Sequence, residues 1–411
     1  MVQTVFIVII VILTVDFILG RILSFLNNRS SKLPIPALLS GVYDEEKYKK
    51  QQAYLDVNSR FGMITSSFSF LIVILMYGFG GFGWLDTIVS TWSMSPILIS
   101  LIFFGIIFLA NDIISLPFEL YDTFVIEERF GFNKTTPKTF VLDKLKGYLL
   151  TVLIGGGLMA LIMWLYQLNP DYFWLIAWAC VSAFGLFMGM FYSELIVPLF
   201  NKQTPLEVGE LRDAIEKFSS KADFSLKNIY VIDGSKRSTK SNAYFIGLGK
   251  KKRIVLYDTL IKELETDEIV AVLAHETGHN KHKHTLKNMA ISLPYNLLIF
   301  YLLGIFLKSD VLAQALGGSE ANFHLNILAF GILYSPVSTA LGLLMNVLSR
   351  KFEYQADNFV KTNGLGNELI SSLKKISSQA LSNLTPHPAY VFANYSHPTL
   401  LQRVEKLTPN P

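Results

Sequence analysis

Residues 271–285 read AVLAHETGHNKHKHT. His275 and His279 stand four apart, with Glu276 beside the first. On a helix, two histidines at that spacing project from one face one turn apart, and both imidazoles can reach a single tetrahedral zinc. Glu276 is rotated off that axis and is free to act on a water at the metal. The chemistry this spacing offers is metal-dependent hydrolysis. A five-residue match also arises by chance, and His282 and His284 let the same stretch read as a basic, solvated helix end. A third protein ligand in a reachable place separates the two readings.

The segment that must carry the pair, TDEIVAVLAHETGHNKHKH, has helical character. Thr266 or Asp267 is expected to cap it, and acidic residues in its first turn suit the helix dipole. Ile269, Val270, Val272 and Leu273 supply packing surface.

The third ligand depends on topology, and composition points to a membrane. Of 411 residues, 51% are hydrophobic and only 17% charged, with mean hydropathy +0.39. A soluble domain carries about a quarter charged residues. A net charge of +4 is too modest to suggest nucleic acid, and a single cysteine, Cys180, excludes an internal disulfide or a cysteine-based metal site. Seven stretches reach the roughly 20 apolar residues that a crossing needs: 2–19, 63–82, 96–118, 148–166, 174–199, 288–307 and 325–348. The N-terminal stretch lacks a basic region and a cleavage site, so it reads as a retained span.

Lysine and arginine set the orientation. Connections 20–62, 119–147, 201–287 and 349–411 carry 7, 5, 16 and 7 of them, whereas 83–95, 167–173 and 308–324 carry 0, 0 and 1. The N-terminus is expected outside and the C-terminus in the cytosol, with the histidine motif at the cytosolic face. Four regions are expected: 1–200 with five spans, 201–287 with the motif helix, 288–348 with spans six and seven, and a cytosolic 349–411. Asp16, Asn111, Asp112 and Glu194 lie in or beside apolar runs. Each reads singly as an interhelical hydrogen bond, and together they suggest a polar interior.

Metzincin spacing is excluded, since position 282 is His where glycine is required and 285 is Thr where histidine is required. The other common solution is a downstream glutamate. Between 280 and 357 the acidic residues are Asp310, Glu320, Glu353 and Asp357. The first two fall on the outer side and cannot reach a cytosolic zinc. Topology therefore selects SRKFEYQAD, residues 349–357. Glu353 is assigned as the third ligand and Asp357 as the partner that fixes a ligand histidine's tautomer; the opposite assignment stays open. His282 and His284 read as exposed histidines.

HETGH and the later EYQAD, separated by two spans, resemble the type I CAAX prenyl proteases, integral-membrane zinc proteases of the gluzincin type. FVIEERFGFNKTT (124–136), VPLFNKQTPL (197–206), DGSKRSTKSNAYFIG (233–247) and SHPTLLQRV (396–404) extend the likeness almost to the C-terminus. The resemblance implies seven tilted helices around a water-filled chamber, an all-α multi-pass fold with a small α+β zinc-protease region at its cytosolic end. It implies one zinc per chain, and cleavage of the last three residues from prenylated CAAX proteins. It places His397 near the metal as a second donor to the developing oxyanion, against the plain reading of a loop histidine beside Pro398. Arg403 is expected to order the same region.

Strands are expected at 228–233, 241–248 and 253–258, with a solvated turn at 247–252. The resemblance favours Asn242, Ala243 and Tyr244 as an edge pairing with substrate backbone over an ordinary supporting sheet. Glu276 is the expected general base. Two alternatives compete with CAAX processing: a membrane-protein quality-control protease with the same site, and an idle scaffold or transporter with structural zinc. A base at 276 argues against the last. The absence of a retention signal favours a bacterial plasma membrane, with the endoplasmic reticulum as the alternative. The expected partners are the bilayer and a peptide or prenylated protein substrate.

Overall fold

A computed structural model describes residues 1–92, 95–222, 229–246 and 253–408. Seven of its helices are long and apolar enough to cross a membrane: Val2–Ser30, Glu45–Gly78, Pro96–Glu127, Pro137–Leu168, Phe173–Phe200, His284–Phe306 and Phe323–Thr362. They are numbered here as spans one to seven. The chain is a multi-pass, mainly helical membrane protein. Several helices outrun the apolar stretches because polar turns continue them past the hydrocarbon. Span two starts at Glu45, where Asp44 caps it by accepting from the Lys47 amide. It stops at Gly78 rather than 82, because Gly80 takes a left-handed φ of 64° and opens a separate helix, Gly81–Ser90.

Neighbouring spans close a ring. Span one meets spans two and seven, span three meets span four, and the series runs on through five and six to seven. Phe61 and Phe68 of span two lie tilted against Phe118 of span three, with ring centroids 6.3 and 5.3 Å away, and complete the circuit. Only 6–11% of each span's most apolar stretch is buried. A ring of seven neighbouring spans leaves its inner faces on an open chamber, the arrangement the resemblance implied.

Three of the four polar residues singled out in the spans reach neighbouring elements. Asp16 accepts from Ser335 at 3.2 Å, linking spans one and seven. Asp112 pairs with Lys144 at 2.7 Å and accepts from Tyr148 at 2.5 Å, linking three and four. Glu194 pairs with Arg253 and ties span five to the sheet. Asn111 is exposed. At the end of the spans remote from the motif helix, Gly83 packs against Gly317 and donates to the Leu316 carbonyl at 2.9 Å. There, buried Asp86, His324 and Ser100 form a hydrogen-bonded chain with 2.8 and 2.9 Å links.

Between spans five and six the described residues build a four-stranded sheet in the order β1-β2-β4-β3. The strands are β1 (Gln203–Pro205), β2 (Ile229–Ile232), β3 (Ala243–Ile246) and β4 (Arg253–Tyr257). β2 and β4 are parallel and the other pairs antiparallel. β1 was not anticipated: three residues ending in proline carry too little pattern to read as a strand. The turn expected at 247–252, with the ends of two expected strands at 228 and 247–248, lies outside the described residues.

The sheet and the helix Thr266–Lys281, the motif helix, share one core. Ile254 and Leu256 of β4 pack with Ile269, Ala271, Leu273 and Ala274. The cap is not Thr266 or Asp267 but Glu265, which stands in an extended conformation at the N-cap. Its side chain accepts from the Glu268 amide, and the Glu268 side chain accepts from the Glu265 amide in return.

Glu268 also clamps the motif helix to the helix Gly366–Gln379, accepting from Ser371 at 2.6 Å and Lys375 at 2.8 Å. Burial alone would raise its pKa, but hydrogen bonds from Lys375, Ser371 and the Glu265 amide outweigh that and hold it below the ordinary 4.5. A depressed carboxylate contributes stability that is complete above its unfolded pKa and is lost as pH falls through the folded value. Glu268→Gln is therefore expected to destabilise metal-stripped protein at pH 7 by about 1–3 kcal/mol. The gap from the parent should narrow below pH 4.5, read by thermal unfolding in detergent. A gap that stays constant on acidification would show that the charge is not what matters.

Candidate active site

The motif helix crosses the far end of span seven at Gly278. A Cβ there would come within 3.0 Å of the Ala356 Cα and 3.1 Å of the Phe359 Cβ. An added Cβ would push the two helices apart by a few tenths of an ångström, so the third residue of the HExxH spacer helps set how near Glu353 comes to the histidines. The carboxylate arrives from span seven, which runs unbroken to Thr362 and carries Glu353 and Asp357 one turn apart.

His275, His279 and Glu353 come together, with potential ligand atoms within 4.8 Å of one another. The two Nε2 atoms are 3.1 Å apart. Glu353 Oε2 is 3.3 Å from His275 Nε2, and Oε1 is 3.2 Å from His279 Nε2. Among the described residues this is the one cluster of three or more His, Cys, Asp or Glu side chains that could hold a metal.

The arrangement fits a divalent cation. His275 Nδ1 lies 2.9 Å from Asp357 Oδ1, so its ring proton belongs there. His279 Nδ1 lies 2.9 Å from His284 Nδ1. With both Nδ1 positions engaged, two Nε2 lone pairs and a carboxylate converge on one point. Glu353 Oε2 is buried without a hydrogen-bond partner despite the nearby nitrogen. Such a cluster repels itself until a cation occupies its centre. Two imidazoles and a carboxylate are donors suited to zinc.

Without a cation the cluster would hold a proton instead. Burial pushes the His275 pKa down, but its contacts with Asp357 and Glu353 outweigh that and raise it to about 9. Metal binding would displace that proton.

Asp357 is itself held. Arg403, buried at 9% exposure, donates Nε to Oδ2 at 2.9 Å and Nη2 to Oδ1 at 2.6 Å. Burial works against the Arg403 charge, but Asp357 outweighs it and raises the pKa further. Arg403 thus sits behind Asp357 and His275. His397 Nε2 stands 3.3 Å from Glu353 Oε1, with its Nδ1 3.0 Å from the Ser396 hydroxyl. Its side chain is 66% exposed, unlike the buried cluster it borders. Glu276 is half-buried, one residue on from His275.

Asn242, Ala243 and Tyr244 lie at β3, an edge of the sheet among the described strands. The Tyr257 amide donates to the Asn242 carbonyl at 3.1 Å. By antiparallel alternation, the Ala243 carbonyl then points off the sheet. The Tyr244 side chain turns towards span five: Gln203 of β1 donates to its hydroxyl at 3.4 Å and to Ser193 of span five at 3.1 Å.

One expectation is corrected. His284 is not exposed: it is 3% accessible, touches His279, and its Nε2 meets Gln355 Oε1 at 2.8 Å. The reason is local. Lys283 takes a left-handed φ of 57°, which ends the motif helix and turns span six back across the site with His284 as its first residue. A histidine opening an apolar span five residues after the motif was the available signal. His282 is exposed as expected.

Seven spans around a chamber, with a buried His–His–carboxylate cluster beside a half-buried glutamate, define an integral-membrane metalloprotease. Residues 24–202 match the family profile described as CAAX prenyl protease N-terminal, five membrane helices, and residues 205–410 match peptidase family M48. A rice protein named CAAX prenyl protease 1 homolog is 37% identical over 95% of this chain and 94% of its own. The human protein of that name is 32% identical over 91% and 88%. The crystal structure of S. mikatae Ste24p superposes with TM-score 0.93 at 30% identity, covering 98% of this chain and 99% of that one. The chain belongs to the CAAX prenyl protease 1 family of M48 metallopeptidases.

Proposed function

We propose that this chain is a zinc endopeptidase that hydrolyses peptide bonds near the C-terminus of prenylated CAAX proteins or peptides. It holds one zinc per chain through His275, His279 and Glu353. The observation that carries this is the convergence of two Nε2 atoms 3.1 Å apart on an unpartnered carboxylate oxygen. The substrate class follows from the names of the relatives above.

Bound zinc would supply Lewis-acid activation of water and of the scissile carbonyl. Everything else falls to the chain. Glu276 takes a proton from the attacking water and returns it to the leaving amine. His397 donates to the carbonyl oxygen as charge develops there. Asp357, backed by Arg403, holds the proton on His275 Nδ1, and the Asn242–Tyr244 edge pairs with extended substrate backbone. In this reading 1–200 is the five-span membrane region, 201–287 carries the zinc helix, 288–348 returns the chain through spans six and seven, and 349–411 brings the third ligand.

The distribution of basic residues supports a cytosolic site, with the N-terminus outside. The relatives from rice and human favour an endoplasmic reticulum membrane over the bacterial one expected from the sequence.

Purified protein should cleave a farnesylated CAAX peptide and lose that activity to a chelator, with zinc restoring it. Equal cleavage of farnesylated and unfarnesylated peptide would instead support the quality-control alternative. No cleavage of either would defeat the proposal. His397→Ala should lower kcat about 100-fold with zinc content unchanged. Unchanged turnover would remove His397 from the mechanism.

A further inference from the structure

We infer that His284 and Gln355 form a one-way hydrogen-bond relay that positions His279 as a zinc donor. This rests on the zinc reading above. The direction of the relay follows from bonding rules. If His279 presents Nε2 to the metal, its ring proton sits on Nδ1 and must be donated. The atom 2.9 Å away is His284 Nδ1, which therefore accepts. The His284 proton is then on Nε2, and it is donated to Gln355 Oε1 at 2.8 Å. One protonation pattern satisfies every nitrogen, with the Gln355 amide oxygen towards the ring.

The relay is rigid. The His284 ring is buried and stacks on Phe352 with centroids 4.1 Å apart and planes 10° apart. Phe352 and Gln355 flank Glu353 on span seven. The helix that delivers the third ligand therefore also aims the second, through a residue on span six.

The two histidines are backed differently. His275 donates to the carboxylate of Asp357, itself paired with Arg403, whereas His279 donates to a neutral imidazole. A neutral acceptor fixes orientation without bringing a charge into the site. His284 is a positioning residue; it touches neither substrate nor the reacting atoms in this scheme.

The test separates aiming from packing. His284→Phe keeps the stack on Phe352 and removes the acceptor. His284→Asn loses the stack but places a side-chain oxygen near the Nδ1 position. Zinc dissociation constants are measured on full-length protein in detergent by competition with a chelating dye, with Glu353→Gln as the control. His284→Phe is expected to weaken zinc binding about 10–100-fold. His284→Asn should recover most of that loss, and Gln355→Leu should weaken binding in the same direction by less. Phe binding zinc as tightly as the parent, or Asn binding more weakly than Phe, would overturn the relay. A parent that binds zinc no better than Glu353→Gln would instead remove the metal site on which the relay depends. The absorption spectrum of cobalt-substituted protein gives a second readout: it should shift in His284→Phe and not in His284→Asn.

Discussion

Glu276→Gln should keep its zinc and lose peptide cleavage by about 100- to 10,000-fold in kcat. Glu276 lies outside the three-residue cluster, so its replacement removes no proposed ligand. Glutamine keeps the size of the side chain but cannot accept and release a proton. Metal content by mass spectrometry and single-turnover cleavage of a farnesylated peptide check the two halves separately. Cleavage within tenfold of the parent would mean that the proton goes elsewhere. Lost cleavage together with lost zinc would give Glu276 a structural role. The same variant disposes of the idle-scaffold reading, because a structural zinc site needs no base beside it.

Glu353→Gln should lose both zinc and activity. The carboxylate is buried at 5% exposure and meets both histidines at 3.2–3.3 Å. Replacing it removes the anion that balances a divalent cation and leaves two protein donors. The loss in zinc affinity is expected to exceed the 10–100-fold typical of an outer partner. Asp357→Asn supplies the graded comparison, because it touches His275 on the side away from the cluster. It should weaken zinc by that smaller factor. If Asp357→Asn emptied the site while Glu353→Gln kept it full, the two residues would exchange roles.

Much of this site was legible because membrane topology prunes the choices. Asp310 and Glu320 belong to the opposite end of the spans, which left Glu353 and Asp357 one turn apart on a single helix. The seven spans followed from apolar length, and the motif helix from its acidic first turn and apolar packing residues. What the sequence hid was set by backbone geometry. The left-handed turn at Lys283 decides whether His284 faces solvent or His279, and only a histidine at the mouth of an apolar span hints at it. The cap fell one residue earlier because Glu265 and Glu268 satisfy each other's amides, which Thr266 would not do at that register. The role of Gly278 is invisible without its neighbour, since a glycine inside HExxH has no meaning until Ala356 and Phe359 crowd it. Gln355 lay in plain view between Glu353 and Asp357, but only its partner on span six gives it a part.

The most direct measurement is an anomalous difference map from crystals of the zinc-loaded protein, collected on either side of the zinc absorption edge. The expected result is one strong peak about 2.0–2.2 Å from the Nε2 atoms of His275 and His279 and from a carboxylate oxygen of Glu353. A peak bound to the histidines with Glu353 turned away, or no peak between them, would contradict the site described here.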